Sequence, residues 1–434
     1  MKDKLNIFWF RRDLRLEDNA GLHNALKAGL PVMPLFIFDT DILDKLENKA
    51  DARVEFIFNA LIELDSELRQ YGSALLTLAG RPAELWKEII KKYDISEVFT
   101  NRDYEPYAIN RDIEVESILK ESGIKFNTFK DQVIFEMNEV VKPDGKPYSI
   151  YTPYSNKWRE NLGGSDIPDY KINPGMNFHQ FSSKLLTPEE TGFKTKGIDY
   201  PAKKVREDII KNYDKTRDIP SIEGTSRLSV HLRFGTVSPR MLVKQAMKLN
   251  DVWLKELIWR EFFMMILYHY PHSAVSSFKP EYDRIEWRNN EEEFEAWCNG
   301  STGYPIVDAG MRELNATGFM HNRVRMITAS FLCKDLLIDW RWGERYFAEK
   351  LLDYELSSNV GNWQWAAGTG CDAAPYFRIF NPASQQQKFD PELKYINKWV
   401  PEYGNFGYAN PIVDHKAARE RTLKAYKEAL KKQT

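Results

Sequence analysis

At 434 residues the chain is too long for one ordinary core, and two domains are expected. Its 43% hydrophobic and 29% charged residues are those of a soluble globular protein, and without an apolar stretch of about 18 residues no transmembrane helix is expected. The formal net charge of -2 excludes a globally basic polyanion binder, so any affinity for nucleic acid must come from a local cluster of Lys and Arg.

The N-terminus, MKDKLNIFWFRRD, has one short apolar run followed at once by Arg11 and Arg12, unlike a secretory signal, and a cytoplasmic protein is expected. Over residues 1–130 the apolar runs LNIFWF, VMPLFIF, SALLTLAG, EVFTN and KFNTF alternate with amphipathic stretches such as 51–71. Strands alternating with helices predict a doubly wound parallel α/β domain. Its first strand-to-helix turn, FRRDLRLEDNAGL, contains no GxGxxG, so a standard dinucleotide fingerprint is missing. Residues 131–200 concentrate Pro, Gly, Ser and Asn in VKPDGKPYS, GGSDIP, NPGMN and TPEETG and predict a surface connector. From 201 to 434 the spacing is helical, as in VWLKELIWREFFMMILYHY and NRVRMITASFLCKDLLIDW, and an all-α domain is expected. Nine of the twelve tryptophans fall from residue 253 onward. The three cysteines, Cys298, Cys333 and Cys371, have neither paired nor metal-ligand spacing, so neither a disulfide framework nor a metal site is expected.

Four segments of the helical half could carry chemistry. Around 251–268, Glu256, Trp259, Arg260 and Phe263 are spaced to share one helix face, which fits either a core stripe with a surface ion pair or a pocket wall offering a stacking ring and an acid. Asn322, Arg325, Met326 and Ala329 repeat that spacing, again fitting an interhelical polar contact or a pocket. The segment LLDYELSSNVGNWQWAAGTGCDAAPYFRIFNP shows neither helical nor strand periodicity. Its Gly361, Gly368 and Gly370 fit either close approach to a bulky group or a tight helix–loop–helix corner. In GTSRLSVHLRFGTVSPR, Thr225, Ser226 and Ser229 stand near a helix start, as a simple N-cap or as a pyrophosphate cradle.

Taken in order, TSRLS, WLKELIWREFF, GYPIVDAGMRELNATGFMHNRVRMITASFLCKDLLIDWRWGERYF and NWQWAAGTGCDAAPYFRIFNP resemble the flavin-binding domain of the photolyase/cryptochrome family. FWFRRDLRLEDN and NRDYEPYA are similar to the family's antenna domain. The resemblance is nearest to the class I cyclobutane pyrimidine dimer photolyases. It implies light-driven DNA repair, in which reduced FAD gives an electron to a flipped-out dimer, with no metal. It also implies a monomer acting on damaged DNA. Tyr213, Thr225, Ser226, Leu228 and Ser229 match the family's FAD phosphate positions, and Trp253, Asn322, Arg325, Asp353 and Asn359 match those around the ring and ribitol. Glu355 stands where the family's DGDLAAN has its second acid, here within DYELSSN.

On the lesion side the resemblance implies Glu256 as the acid bonding the dimer, with Trp259 and Trp365 as stacking rings and Met326 as lining. Arg260, Arg323 and Arg378 are implied as phosphate contacts. Trp363, Trp340 and Trp287 match an electron-transfer chain, for which three buried packing indoles are the alternative. Phe319 stands where many members have Trp, and Tyr107-Ala108 replaces the Asn-Glu pair of folate-binding members. A second chromophore is therefore expected to be a deazaflavin or a flavin ahead of a folate. Retention of Glu256, Trp259 and Asn359 sets the chain apart from a cryptochrome-like photoreceptor. Asn322 stands where (6-4) photolyases have the second of two adjacent histidines, the first being matched by His321.

Overall fold

The computed structural model describes residues 3–163, 166–172, 175, 177–405 and 407–431, so parts of GGSDIP and NPGMN lie outside it. The chain forms two compact units, each built from several stretches. The first comprises Met1–Glu139, Arg159–Val205 and Arg227–Lys248, and the second Val140–Trp158, Arg206–Ser226 and Leu249–Thr434.

The five apolar runs of the N-terminal region are the five strands of the first unit: β1 (Lys4–Phe10), β2 (Val32–Asp39), β3 (Leu76–Gly80), β4 (Asp94–Asn101) and β5 (Lys125–Phe129). They form one parallel sheet in the order β3-β2-β1-β4-β5. β2 is buried at every position and β1 at all but its first. Crossover helices cover both faces of such a sheet, so its central strands are continuous apolar runs without alternation. The crossovers are α1 (Ala20–Lys27), α2 (Ala52–Arg69), α3 (Pro82–Lys92) and α4 (Pro106–Glu121). α2 begins where Asp51 accepts the Arg53 backbone N–H, a carboxylate N-cap. Strand order reverses between β1 and β4, the place where such sheets open a ligand crevice. Asn101, the last residue of β4, is buried there, its amide donating to Asp13 at 2.6 Å and to Asn19 at 2.8 Å.

The boundaries depart from three consecutive blocks. Residues 227–248, expected with the helical domain, belong to the first unit because buried charge ties them there. The Arg240 guanidinium donates to Asp18 and, at 2.8 Å, to Asp131, while Arg15 donates to Asp131 at 2.7 Å and to the Gly235 carbonyl at 3.0 Å. A Cβ on Gly235, which has φ +67°, would lie 2.1 Å from the Arg12 carbonyl oxygen, so only glycine fits this approach.

Nor is 131–200 only a surface wrap. It contains the helix α5 (Tyr151–Gly163), with Tyr154 and Trp158 buried and the Trp158 indole donating to Glu261 at 2.7 Å. Further on, the backbone N–H groups of Lys196 and Gly197 donate to the buried carboxylate of Glu55, at 2.6 and 2.9 Å, and pin the chain to α2.

The last stretch of the first unit carries two helices, α6 (Ser229–Phe234) and α7 (Pro239–Leu249). The second unit is helical. The helices that matter for the site are α8 (Asp251–His269), α9 (Pro305–Thr317), α10 (Asn322–Ser330), α11 (Trp340–Lys350), α12 (Leu356–Ala367) and α13 (His415–Ala429). Their core gathers Trp297, Ile306, Val324, Leu332, Trp340, Phe347 and Trp363. Within the segment without visible periodicity lies α12, which places Asn359 and Trp363 one turn apart on one side. Its pattern is hidden because Ser, Asn and Gln occupy buried positions where an apolar stripe would normally signal a helix. Gly368, at φ +84°, ends the helix, and Gly361 lets the Phe263 ring approach to where a Cβ would be 2.2 Å away. The glycines thus serve a helix end and a helix contact.

Candidate active site

A cleft lies within the second unit, with about 600 Å³ of empty space when its open mouth is counted. Asn322, Arg325 and Met326 reach it from the start of α10, Asp353 and Glu355 from the turn before α12, and Asn359, Trp363 and Trp365 from α12 itself. The helical spacing of Asn322, Arg325, Met326 and Ala329 therefore forms a pocket wall. The entry of α10 is set by His321, whose Nδ1 accepts the Arg323 backbone N–H at 3.2 Å. Its Nε2, the remaining site for a proton, is buried without a partner. Burial pushes the imidazole pKa down to about 4, holding it neutral.

Arg325 donates to both carboxylate oxygens of Asp353, at 3.2 and 3.0 Å, so a fixed cation stands at the cleft wall. The Asn359 amide nitrogen donates to the carbonyl and the side chain of Glu344, at 3.1 and 2.9 Å. No hydrogen bond from the described residues reaches its Oδ1, which is left as an acceptor at a site lining the cleft. Burial raises the Glu344 carboxyl above the usual carboxylate range, and the bond from Asn359 opposes the rise. Glu355, the residue before α12, accepts the hydroxyls of Ser357 and Ser358 at 2.9 and 2.6 Å, and its side chain caps no backbone N–H of the helix.

Away from the cleft lining, Glu256 on α8 is ion-paired with Arg217 at 2.5 Å. Burial raises the Glu256 carboxyl and Arg217 pulls against it. Arg323 is held by Asp218 at 2.7 Å and lies over the Phe389 ring. Trp259 stacks face to face on Tyr151, with centroids 3.6 Å apart and planes 5° from parallel. Arg378 is exposed in the loop after α12.

Trp363 and Trp340 are buried in one core, against which Trp287 packs. Trp363 sits edge-on to Phe347 at 4.9 Å and to Trp297 at 6.1 Å. Trp287 sits edge-on to Tyr426 at 6.0 Å.

Several expected residues lie outside the cleft lining. Trp253 is buried in the first turn of α8, its N–H capped by Asn250. Tyr213 is buried near Arg217 and belongs, with Thr225 and Ser226, to the second unit, whereas Leu228 and Ser229 belong to the first. Leu228 is the N-cap of α6 without a side-chain bond, so the simple hydroxyl N-cap is not realised. Sequence reasoning did not single out Glu344, Arg217, Asp218 or Tyr151. Glu344 lies fifteen residues from Asn359, and no local spacing could join them.

All three cysteines are buried and unpaired, and among the described residues no group of His, Cys, Asp and Glu could hold a metal. The chain is thus a two-unit protein, a parallel α/β unit and a helical unit whose cleft gathers an anchored amide, an Arg–Asp pair and indoles. The family described as DNA photolyase matches residues 6–172, and that described as the FAD binding domain of DNA photolyase matches residues 253–428. The deoxyribodipyrimidine photo-lyase of Salmonella typhimurium is 39% identical, covering 98% of this chain and 99% of its own. A bacterial class III photolyase structure from Agrobacterium tumefaciens superposes with a TM-score of 0.88 at 34% identity, over 99% of this chain and 98% of its own. An archaeal photolyase structure from Sulfolobus tokodaii, with two FAD molecules, gives 0.85 at 37% identity, over 98% and 99%. The chain belongs to the photolyase/cryptochrome family.

Proposed function

We propose that this protein repairs cyclobutane pyrimidine dimers in DNA using light, as a deoxyribodipyrimidine photo-lyase. One observation carries the reading. A single cleft gathers residues suited to a flavin (Asn322, Arg325, Asp353, Glu355, Asn359) and residues suited to a base (Met326, Trp365), with Trp363 beside them.

The donor and acceptor set fits FAD. The free Oδ1 of Asn359 accepts an N–H, and the Arg325 cation favours negative charge nearby. Tyr213, Thr225 and Ser226 would hold the phosphate side, Trp253 the ribitol side. Leu228 and Ser229 rest on the resemblance alone. When bound and reduced, FAD supplies on excitation the electron that opens the cyclobutane ring and receives it back.

The protein's own part is to hold and orient. Glu256 offers a carboxyl that burial keeps disposed to carry a proton, able to donate to a pyrimidine carbonyl once Arg217 yields. Trp259 and Trp365 offer flat faces to bases pulled from the stack. Arg260, Arg323 and Arg378 supply local positive charge for the phosphates that the net charge conceals. Trp363, Trp340 and Trp287 are oxidisable rings in and against one core and would return electrons to an oxidised flavin.

Tyr107 and Ala108 in place of the Asn-Glu pair of folate-binding members favour a deazaflavin or flavin antenna over a folate, and the Tyr107 hydroxyl donates to Asp39 at 2.7 Å. No helix among the described residues is long and apolar enough to cross a membrane, and the proposed setting is a cytoplasmic monomer acting on damaged DNA.

The test is illumination of reduced holoprotein with an oligonucleotide bearing a cis-syn thymine dimer. Splitting in blue or near-UV light and none in the dark is expected. Intact dimer after illumination, with FAD bound, would sink the proposal.

A further inference from the structure

We infer that Tyr151 is a positioning residue of the lesion pocket, setting the plane of Trp259 and thereby the face on which a displaced base stacks. The inference deepens the repair reading and rests on it.

Aromatic pairs usually settle offset or edge-on, so a centroid separation of 3.6 Å with planes 5° from parallel requires restraint from elsewhere. Tyr151 is restrained at both ends. Its hydroxyl donates to the Lys255 carbonyl at 3.0 Å. Lys255 lies four residues before Trp259, so this is the carbonyl that the Trp259 backbone N–H reaches in an α-helix. One side chain thus grips both the indole and the backbone turn that carries it. The Tyr151 backbone N–H donates to Asp372 at 3.0 Å, in the loop that also carries Arg378, and Phe262 packs edge-on at 5.8 Å.

Burial decides which face of the indole is offered. Tyr151 is only 8% exposed, whereas Trp259 keeps part of its surface open, and that part must lie away from the covered face. Phe263 and Phe262 take further edges of the ring, at 5.4 and 5.5 Å. A ring so held arrives at its substrate already ordered, and the side-chain entropy otherwise lost on binding is not lost again. The connector helix α5 therefore contributes to the site through its first residue.

The experiment compares binding of a dimer-bearing duplex with binding of the intact duplex, using FAD-loaded full-length protein. Tyr151→Leu should weaken binding of the dimer duplex about five- to tenfold while leaving the intact duplex and FAD content unchanged. Tyr151→Phe, which keeps the ring and loses the bond to the Lys255 carbonyl, should weaken dimer binding less than the leucine variant does, by about two- to fourfold. In a Trp259→Ala background, Tyr151→Leu should add no further loss, because Tyr151 acts through Trp259. If the leucine variant does not fold, Tyr151→Met takes its place, since that chain adapts to irregular gaps. Equal weakening of both duplexes, additive losses in the double variant, or unchanged dimer preference would each overturn the inference. A wild type with no preference for the dimer removes the repair reading itself, whereas preference that survives Tyr151→Leu removes this inference alone.

Discussion

Asn359 and Glu344 are joined twice, the amide nitrogen of one donating to both the backbone carbonyl and the carboxyl oxygen of the other. A carbonyl can only accept, so the bond at 3.1 Å fixes which end of the amide is nitrogen and leaves Oδ1 as the group offered to a ligand. Glu344 is thus a positioning residue for Asn359. Glu344→Leu should leave FAD content unchanged and shorten the lifetime of the reduced flavin in air about three- to tenfold, the range of one hydrogen bond's net contribution. Recovery of oxidised-flavin absorbance after chemical reduction measures it. An unchanged lifetime would show that the backbone carbonyl alone is enough.

Trp363 owes its place to Gly343, where an added Cβ would come within 2.1 Å of the indole and 2.5 Å of Leu332. Gly343→Ala must therefore push the ring off its seat and should destabilise the protein by about 1–3 kcal/mol, read from the urea midpoint. Trp363→Phe keeps an aromatic packing partner for Phe347 while removing the easily oxidised indole. It should abolish light-driven reduction of the oxidised flavin and spare dimer splitting by chemically reduced protein. Equal loss of both activities would make Trp363 a packing residue only.

The Arg217–Glu256 pair sets two influences on one carboxyl against each other, burial raising its pKa and the cation lowering it. Arg217→Met removes the cation, so Glu256 should hold its proton to higher pH. If the protonated form binds the dimer, the alkaline decline of dimer affinity then moves upward, and Glu256→Gln, which cannot ionise, should show no such decline. Glu256→Ala should weaken dimer binding about tenfold at neutral pH. Affinity measured across pH by fluorescence anisotropy separates these outcomes.

What the sequence discloses follows from the range of the interactions involved. The strands β1 and β2 and the helix α8 are legible because burial of nearly whole strands, or of every side of a helix's second half, leaves apolar runs within about twenty residues. The α12 helix is not legible, because Asn359 and Gln364 are buried for their hydrogen bonds and break the stripe. The membership of 227–248 in the first unit is equally invisible. It depends on Arg240 meeting Asp18 and Asp131, partners 222 and 109 residues away. In the site, the helical spacing of Glu256 with Trp259, and of Asn322 with Arg325, places those side chains without any family. Arg217, Glu344 and Tyr151 are set beside them by tertiary folding alone.

His321 couples the α10 cap to pH. Its Nδ1 accepts the Arg323 N–H, so protonation there breaks the N-cap that aims Asn322, Arg325 and Met326 at the cleft. The folded-state pKa of about 4, lowered chiefly by burial, lies below the ordinary value of about 6.5. Between these values the unfolded chain binds a proton that the folded chain does not. Stability is therefore fully present above about pH 6.5 and falls as pH is lowered, by about 1.4 kcal/mol per unit, levelling off below about pH 4. His321→Asn keeps an oxygen acceptor suited to an N-cap and removes the titration. The two proteins should differ by less than about 1 kcal/mol at pH 7, and the variant should gain about 2.6 kcal/mol relative to wild type by pH 4.5. Urea unfolding at matched pH provides the difference, in which carboxylates common to both proteins cancel. Parallel stability curves would mean that His321 does not hold its proton off in the folded state.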